Sequence, residues 1–433
     1  MNSTFERKPY KKEEKLIKQG TQLVVTCSDL TFEGLGVCKV SGPGDNGTIF
    51  ENFPLFVMGI LPFEKGVVEI NKMDKTFGYA TIIKLFPDFY SNDRAIPLCD
   101  KYPKCGGCNI MHMTYDAQLR FKREMVKDTL AKIGGLNDVK VEHVLGMKKP
   151  FYYRNKVQIP FGQTRFKMIT GFYQRDTHTI IPLEKCYIQT DLSTDIAKFV
   201  RNICSEYQLK GYEEKYHCGN IRHVLIKANT RGEIMLVLVS LNDEIPHLDE
   251  IVGKVTARYP QIKSVILNVN KTRGNTTLGN KNTTVYGDSY LADTLCGKTF
   301  HIGASSFYQV NHQQTEVLYQ KAIEMAKLEK TDILIDAYCG IGTIGIIASD
   351  HVKYVYGVEI VEEAIKNAQE NALLNDANNT TYVCGKAEEQ IVRWYEEGIK
   401  ADVIVVDPPR KGCDEVLLET IAKMKIPRLV YVS

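Results

Sequence analysis

The chain has 433 residues, 44% hydrophobic and 25% charged, with a formal net charge of +3. That length exceeds one ordinary core and calls for two or three globular domains; the near-balanced charge neither demands nor excludes a nucleic-acid partner. No apolar run reaches the roughly 18 residues of a membrane helix, and the start, Met1 to Lys12, lacks the apolar core of a signal peptide, so a cytoplasmic protein without membrane contact is expected. In that compartment the twelve cysteines are expected to be buried small hydrophobes rather than disulfides, and a cluster of them would suggest a metal. A monomer is expected.

Residues 1–18 are polar and mildly basic, with Arg7, Lys8, Lys11, Lys12, Lys15 and Lys18 set against Glu6, Glu13 and Glu14. They read either as a solvated tail or as one that follows RNA phosphates. Over residues 19–88 the pattern changes to short alternating runs, Leu23 to Cys27, Gly36 to Val40, Gly47 to Phe50, Phe56-Val57, Gly66 to Ile70 and Tyr79 to Ile83, separated by Gly, Pro, Asp and Asn turns. About five short strands in that length predict a small closed barrel of OB type. The run Thr31 to Val40 followed by Pro54 to Glu64 resembles the TRAM domain found on RNA-modifying enzymes, which implies RNA binding; a barrel without a ligand is the plainer alternative.

Residues 89–300 read as a central mixed α/β domain that opens with Cys99, Cys105 and Cys108. Gly106 and Gly107 let the chain turn so that the flanking sulfurs can reach one centre, and Cys186 is the far candidate for a fourth ligand. Four thiolates suit zinc or a [4Fe–4S] cluster, and the spacing alone leaves the metal open, or absent. His112 nearby reads as a packing or helix-start residue. Residues 116–133 repeat with a period near 3.6 and end at Gly134-Gly135, predicting a helix with a basic outer face. Tyr152 to Phe161 interleaves aromatics with Arg154, Asn155 and Lys156, a pattern that suits base stacking and phosphate contact or simple cross-strand packing. His223 to Ala228, Ile234 to Val239 and Ser264 to Asn270 read as the strands of a sheet core, and Asn270 to Asn275 as a polar turn.

From residue 301 strands and helices alternate, which predicts a parallel, doubly wound sheet with its ligand at the carboxyl ends of the strands. The centre of this pattern is Asp336-Ala-Tyr-Cys-Gly340-Ile-Gly342-Thr-Ile-Gly345, a Gly-rich turn between an apolar strand and an apolar helix. Its glycine spacing matches the G-x-G-x-x-G of nucleotide-binding turns, a weak signal by itself. Glu359 ends the next strand about 20 residues on, where a carboxylate accepts both hydroxyls of an adenosyl ribose, of NAD or of S-adenosylmethionine. Asp407-Pro408-Pro409-Arg410 separates the two: prolines hold a carboxylate on a stiff strand-end turn, as methyltransferases acting on planar bases place it, and a dehydrogenase has no use for it.

Together with Ser306-Phe-Tyr-Gln309-Val-Asn311, these motifs resemble the RNA uracil-5-methyltransferases of the iron–sulfur type, which make 5-methyluridine in bacterial 23S rRNA. The resemblance runs over nearly the whole chain. It implies a TRAM barrel, a central RNA-binding domain with a [4Fe–4S] cluster on Cys99, Cys105, Cys108 and Cys186, and a Rossmann-like methyltransferase domain over 301–433 with its last strands missing. It also implies S-adenosylmethionine contacts from Gln309, Tyr338, Glu359 and Asp407, with Asp336, Gly340 and Gly342 in the same cofactor-binding turn. RNA is the implied partner. In the family the nucleophilic cysteine follows a strand like Leu429 to Ser433, and the proton-abstracting glutamate comes later. The chain is accordingly expected to be cut short before its catalytic residues, to bind cofactor and RNA, and to be inactive as it stands. Alternatives are a tRNA uracil methyltransferase and a non-catalytic RNA-binding iron–sulfur protein.

Overall fold

A computed structural model describes residues 16–45 and 47–432. The basic residues Arg7 to Lys15 and the terminal Ser433 lie outside the described residues. The chain forms two compact units, one of residues 1–150 with 173–179, the other of residues 151–172 with 180–433.

The first unit is built on five strands, β1 (Gln22–Leu30), β2 (Leu35–Pro43), β3 (Ile49–Met58), β4 (Lys65–Met73) and β5 (Gly78–Leu85). They close into a barrel in the order β1-β2-β3-β5-β4, with β1 pairing β4 and only β3–β5 parallel. Alternate residues point inward, so Val25, Cys27, Cys38, Leu55, Val57, Val68 and Ile70 fill the interior. The expected OB-like barrel is present. The runs Gly47 to Phe50 and Phe56-Val57, read apart in the sequence, are one strand. Pro54 does not break it, because it lies just before Leu55–Val57, the stretch that pairs with β5, where the strand keeps an open edge. Glu64, wholly buried, accepts from the backbone N–H of Leu61 and Ser91 and forms a charged fork with Arg94. Helix α1 (Tyr115–Lys132) is capped by Thr114, whose side chain accepts from Ala117 N–H; only Ala117 is buried in it.

The second unit contains a mixed seven-stranded sheet of β6 (Lys156–Gln163), β7 (Met168–Tyr173), β8 (Ile180–Pro182), β9 (Ile221–Ala228), β10 (Ile234–Ser240), β11 (Ile262–Val269) and β12 (Lys281–Gly287). Its order is β12-β11-β10-β9-β6-β7-β8. Strands β9 to β11 are buried almost without interruption, as their apolar runs require, and α2 (Asp191–Glu206) and α3 (Leu248–Arg258) supply apolar faces to the same core. The polar stretch after Asn270 is a loop built around that buried side chain, whose Nδ2 donates to the carbonyls of Thr276 and Thr277. A hairpin, β13 (Tyr290–Leu295) and β14 (Lys298–Gly303), leads to α4 (His312–Ala326).

A five-stranded parallel sheet follows. Its elements are β15 (Ile333–Ala337), α5 (Thr343–Ser349), β16 (Tyr354–Glu359), α6 (Glu362–Leu374), β17 (Thr380–Cys384), α7 (Ala387–Glu396), β18 (Val403–Val406), α8 (Glu415–Met424) and β19 (Arg428–Tyr431). The order β17-β16-β15-β18-β19 reverses between β15 and β18, and a crevice opens at the carboxyl ends of strands on either side of such a reversal. Among the described residues no helix is long and apolar enough to cross a membrane.

Candidate active site

The turn after β15 and the turn after β18 meet at this switch point. A cleft with about 360 Å³ of empty space, open solvent included, is lined there by Gln309, Asp336, Tyr338, Gly340 and Asp407, together with Phe307, Tyr308, Tyr319, Cys339, Ile341, Thr343 and Ile344. Five of the residues singled out from sequence thus share one cavity. Glu359 stands at its edge: one carboxylate oxygen accepts from Gly340 N–H at 3.3 Å, the other from Val361 N–H at 3.0 Å. Gly342 does not line the cleft; with φ of 80° it starts α5, which is why that helix begins at Thr343 rather than at Ile341. Tyr338 also takes a left-handed backbone, φ 63°, costly for a residue with a Cβ and typical of constrained sites.

The electrostatics are those of a buried acidic site. Asp336 is buried; its Oδ2 accepts from Gly345 N–H at 2.8 Å, while Oδ1 has no partner within the protein. Burial raises its carboxyl to about 7, with Asp407 and Glu359 adding to the rise against the Gly345 hydrogen bond. Burial also raises Asp407 to about 6, opposed by Gln309, whose Nε2 donates to Oδ2 at 3.5 Å. A cationic ligand carrying hydroxyl donors suits three such carboxylates. Gly340 leaves room for close approach, since a Cβ added there would meet nothing within 4 Å. An S-adenosyl group, with a sulfonium, an ammonium and a ribose diol, fits these residues.

Tyr319, in α4, is a cleft residue that sequence reading missed. It is buried, its hydroxyl accepts from Thr343 Oγ1 at 3.4 Å, and burial raises it to about 12. No motif marks it in the sequence; its place in the cleft lining shows only in the fold. The two cysteines near the cleft are poor candidates for a nucleophile. Burial holds the Cys339 thiol well above its ordinary range, and burial raises Cys413 too, so neither is poised as thiolate.

The cysteine turn belongs to the first unit. Residues 173–179 fasten it: Gly106 N–H donates to Tyr173 O at 3.0 Å, and Arg175 Nη2 donates to Cys108 O and Asn109 Oδ1, each at 3.0 Å. Burial raises the Cys105 thiol, and Cys99 adds to the rise. Cys186 is buried in the second unit. Among the described residues, no three His, Cys, Asp or Glu side chains gather in a way that could hold a metal ion. His112 is a packing residue: it is buried, its Nδ1 meets the Tyr102 hydroxyl, and burial lowers its pKa to about 4. Asn155 and Lys156, whose pattern suits RNA contact or cross-strand packing, meet the segment that lines the cleft: Asn155 Nδ2 donates to Gln309 O at 3.0 Å, and the Lys156 ammonium lies 5.2 Å from the Phe307 ring centroid.

Fold and site together define a Rossmann-like methyltransferase domain. A family model described as tRNA (Uracil-5-)-methyltransferase matches residues 290–433. An uncharacterized RNA methyltransferase of Bacillus cereus is 44% identical over 411 residues, covering 94% of this chain and 86% of its own. One of Listeria innocua is 44% identical over 422 residues, covering 97% and 90%. The solved tRNA (uracil-54, C5)-methyltransferase of Pyrococcus abyssi, in complex with S-adenosyl-L-homocysteine, shares the fold at a TM-score of 0.71 and 22% identity, over 94% of this chain and 89% of that one. The chain belongs to the RNA uracil-5-methyltransferase family.

Proposed function

We propose that this protein methylates carbon 5 of a uridine in 23S rRNA. The observation that carries the reading is the convergence of Gln309, Asp407 and the Asp336–Gly340 turn on one cleft at the switch point. Carbon 5 of uracil is a poor nucleophile. A thiolate adding at carbon 6 turns it into an enolate carbon that can take a methyl group; a base then removes the carbon-5 proton and elimination frees the thiolate. The base must leave its stack to be reached. Bound in the cleft, S-adenosylmethionine supplies an electrophilic methyl group. The chain's own residues bind and orient: Glu359 offers its carboxylate to the ribose hydroxyls, Tyr338 packs beside the cofactor, and Gln309 with Asp407 walls the reacting end. Closing the site against water strengthens each of these polar contacts.

The rRNA assignment is supported by the barrel and the cysteine turn that precede the methyltransferase domain. A second reading, a tRNA uridine as substrate, is favoured by the description of the family model that matches residues 290–433. Mass spectrometry of rRNA and tRNA uridines from a deletion strain decides between them. Loss of 5-methyluridine from 23S rRNA is expected; loss from tRNA alone would move the assignment to tRNA. With the rRNA reading goes a [4Fe–4S] cluster on Cys99, Cys105, Cys108 and Cys186. Among the described residues no three side chains gather in a way that could hold a metal ion, so no catalytic step is routed through a cluster. A brown anaerobic preparation with visible charge-transfer absorbance would support the cluster, and a colourless one would remove it.

A further inference from the structure

The wall of the cleft made by Phe307 to Gln309, and Ser306 before it, has no regular secondary structure of its own. Its backbone is held from the seven-stranded sheet. Lys227 on β9 is 4% exposed, and its ammonium donates to Gly303 O at 2.6 Å and to Ser306 O at 2.9 Å. Directly across on β6 stands Lys156, which faces the Phe307 ring. One residue earlier, Asn155 donates its backbone N–H to Val310 O at 2.9 Å and its Nδ2 to Gln309 O. The Ser306 hydroxyl is used as well, accepting from Gly303 N–H and Asn367 Nδ2.

Two lysines side by side on adjacent strands, one buried, are an expensive way to complete a sheet. An apolar residue would satisfy the strand at lower cost. Burial is the main cause that brings the Lys227 ammonium down to about 7, Lys156 adds to the fall, and Glu363 opposes it. What the lysine does that an apolar residue cannot is satisfy two carbonyls of one turn at once, with charge-assisted hydrogen bonds.

We propose that Lys227 is a positioning residue for the methyl-donor site: by tying Gly303 O and Ser306 O to the sheet, it fixes where Gln309 stands opposite Asp407. The proposal rests on the cleft being the cofactor site. Small displacements of such a wall are costly to binding and turnover because the contacts are directional.

The test is calorimetric titration of S-adenosylhomocysteine into the full chain, with thermal melting run alongside. Lys227→Met keeps the length of the side chain and removes the donor. It is expected to stay folded and bind about tenfold more weakly, as misplacement of a positioning group does. Val265→Ala opens a cavity in the same sheet; it should lower the melting temperature while leaving the dissociation constant within about twofold, as for independent sites. Should Lys227→Met fail to fold, Asn155→Ala, which removes one hydrogen bond to Gln309 O, is expected to weaken binding several-fold. A folded Lys227→Met, or in its absence Asn155→Ala, that binds like the wild type overturns the proposal and leaves the cofactor site standing. Wild-type protein that does not bind S-adenosylhomocysteine overturns both.

Discussion

Asp336 concentrates the chemistry of the site in one side chain. Its ordinary pKa of 3.8 is raised to about 7 because the carboxylate is desolvated and faces other carboxylates. A raised folded-state pKa means that the native chain binds the proton more tightly than the unfolded chain. The stability linked to this group is therefore full below about pH 4 and is lost as pH rises through about 7. Asp336→Asn keeps the shape and cannot titrate. The stability of wild type relative to this variant should fall between about pH 4 and pH 7.5, by about 4 kcal/mol at most since each pKa unit is worth about 1.4; urea unfolding at several pH values measures it. Asp407 makes a different prediction, because the proposed function sets it at the reacting end. Asp407→Asn should weaken binding of S-adenosylmethionine, which carries the sulfonium charge, more than that of S-adenosylhomocysteine, which does not. A loss of about tenfold in that preference is reasonable for one partly buried charge pair, and parallel titrations with the two ligands read it. Equal losses would mean that Asp407 acts through shape alone.

The turn from β15 into α5 shows what each glycine is for. A Cβ at Gly345 would stand 2.9 Å from both Asp336 Oδ2 and the Tyr382 hydroxyl and 3.0 Å from Val355, so the helix could not keep its place against the sheet. A Cβ at Gly340 meets open space, and only the positive φ of 55° opposes it. Gly345→Ala is expected to destabilise by about 2–3 kcal/mol through overpacking, and Gly340→Ala by about 1–2 through the left-handed backbone. Denaturant unfolding gives the ranking, and the reverse order would show that backbone strain outweighs close packing in this turn. The same element explains why the glycine pattern was readable: the spacing that lets a ligand approach also lets a helix lie against a strand. Where α5 starts is decided by Gly342, whose φ of 80° keeps it out of the helix, and residue type alone does not carry that angle.

At the scale of the molecule, the two compact units have separate sources of stability. In the first, the buried Glu64 is held by Arg94 and by two backbone donors, beneath a barrel with a small core. Arg94→Ala leaves that carboxylate buried without its charge partner. It should destabilise the first unit by about 3–5 kcal/mol while leaving the affinity for S-adenosylhomocysteine, which the proposed function places in the second unit, within about twofold. Hydrogen exchange read by mass spectrometry locates the loss: faster exchange confined to residues 16–150 and 173–179 is expected, and exchange rising equally through β15 to β19 would show that the units unfold as one.

The sequence by itself determined the local chemistry: the alternation that makes the barrel, the apolar strands and glycine spacing of the parallel sheet, and carboxylates at strand ends in Glu359 and Asp407. These follow from side-chain period, backbone sterics and residue type, all of which act between near neighbours. Only the tertiary structure decided that Gln309, Asp336 and Asp407 share one cavity, that Asp336 holds a proton near neutrality, and that Tyr319 belongs to the site. It also set Asn155 and Lys156 against the segment that lines the cleft, and among the described residues it gathered no three side chains able to hold a metal ion. Desolvation and hydrogen-bond partners are set by what packs against a residue from far along the chain, which composition and spacing do not carry.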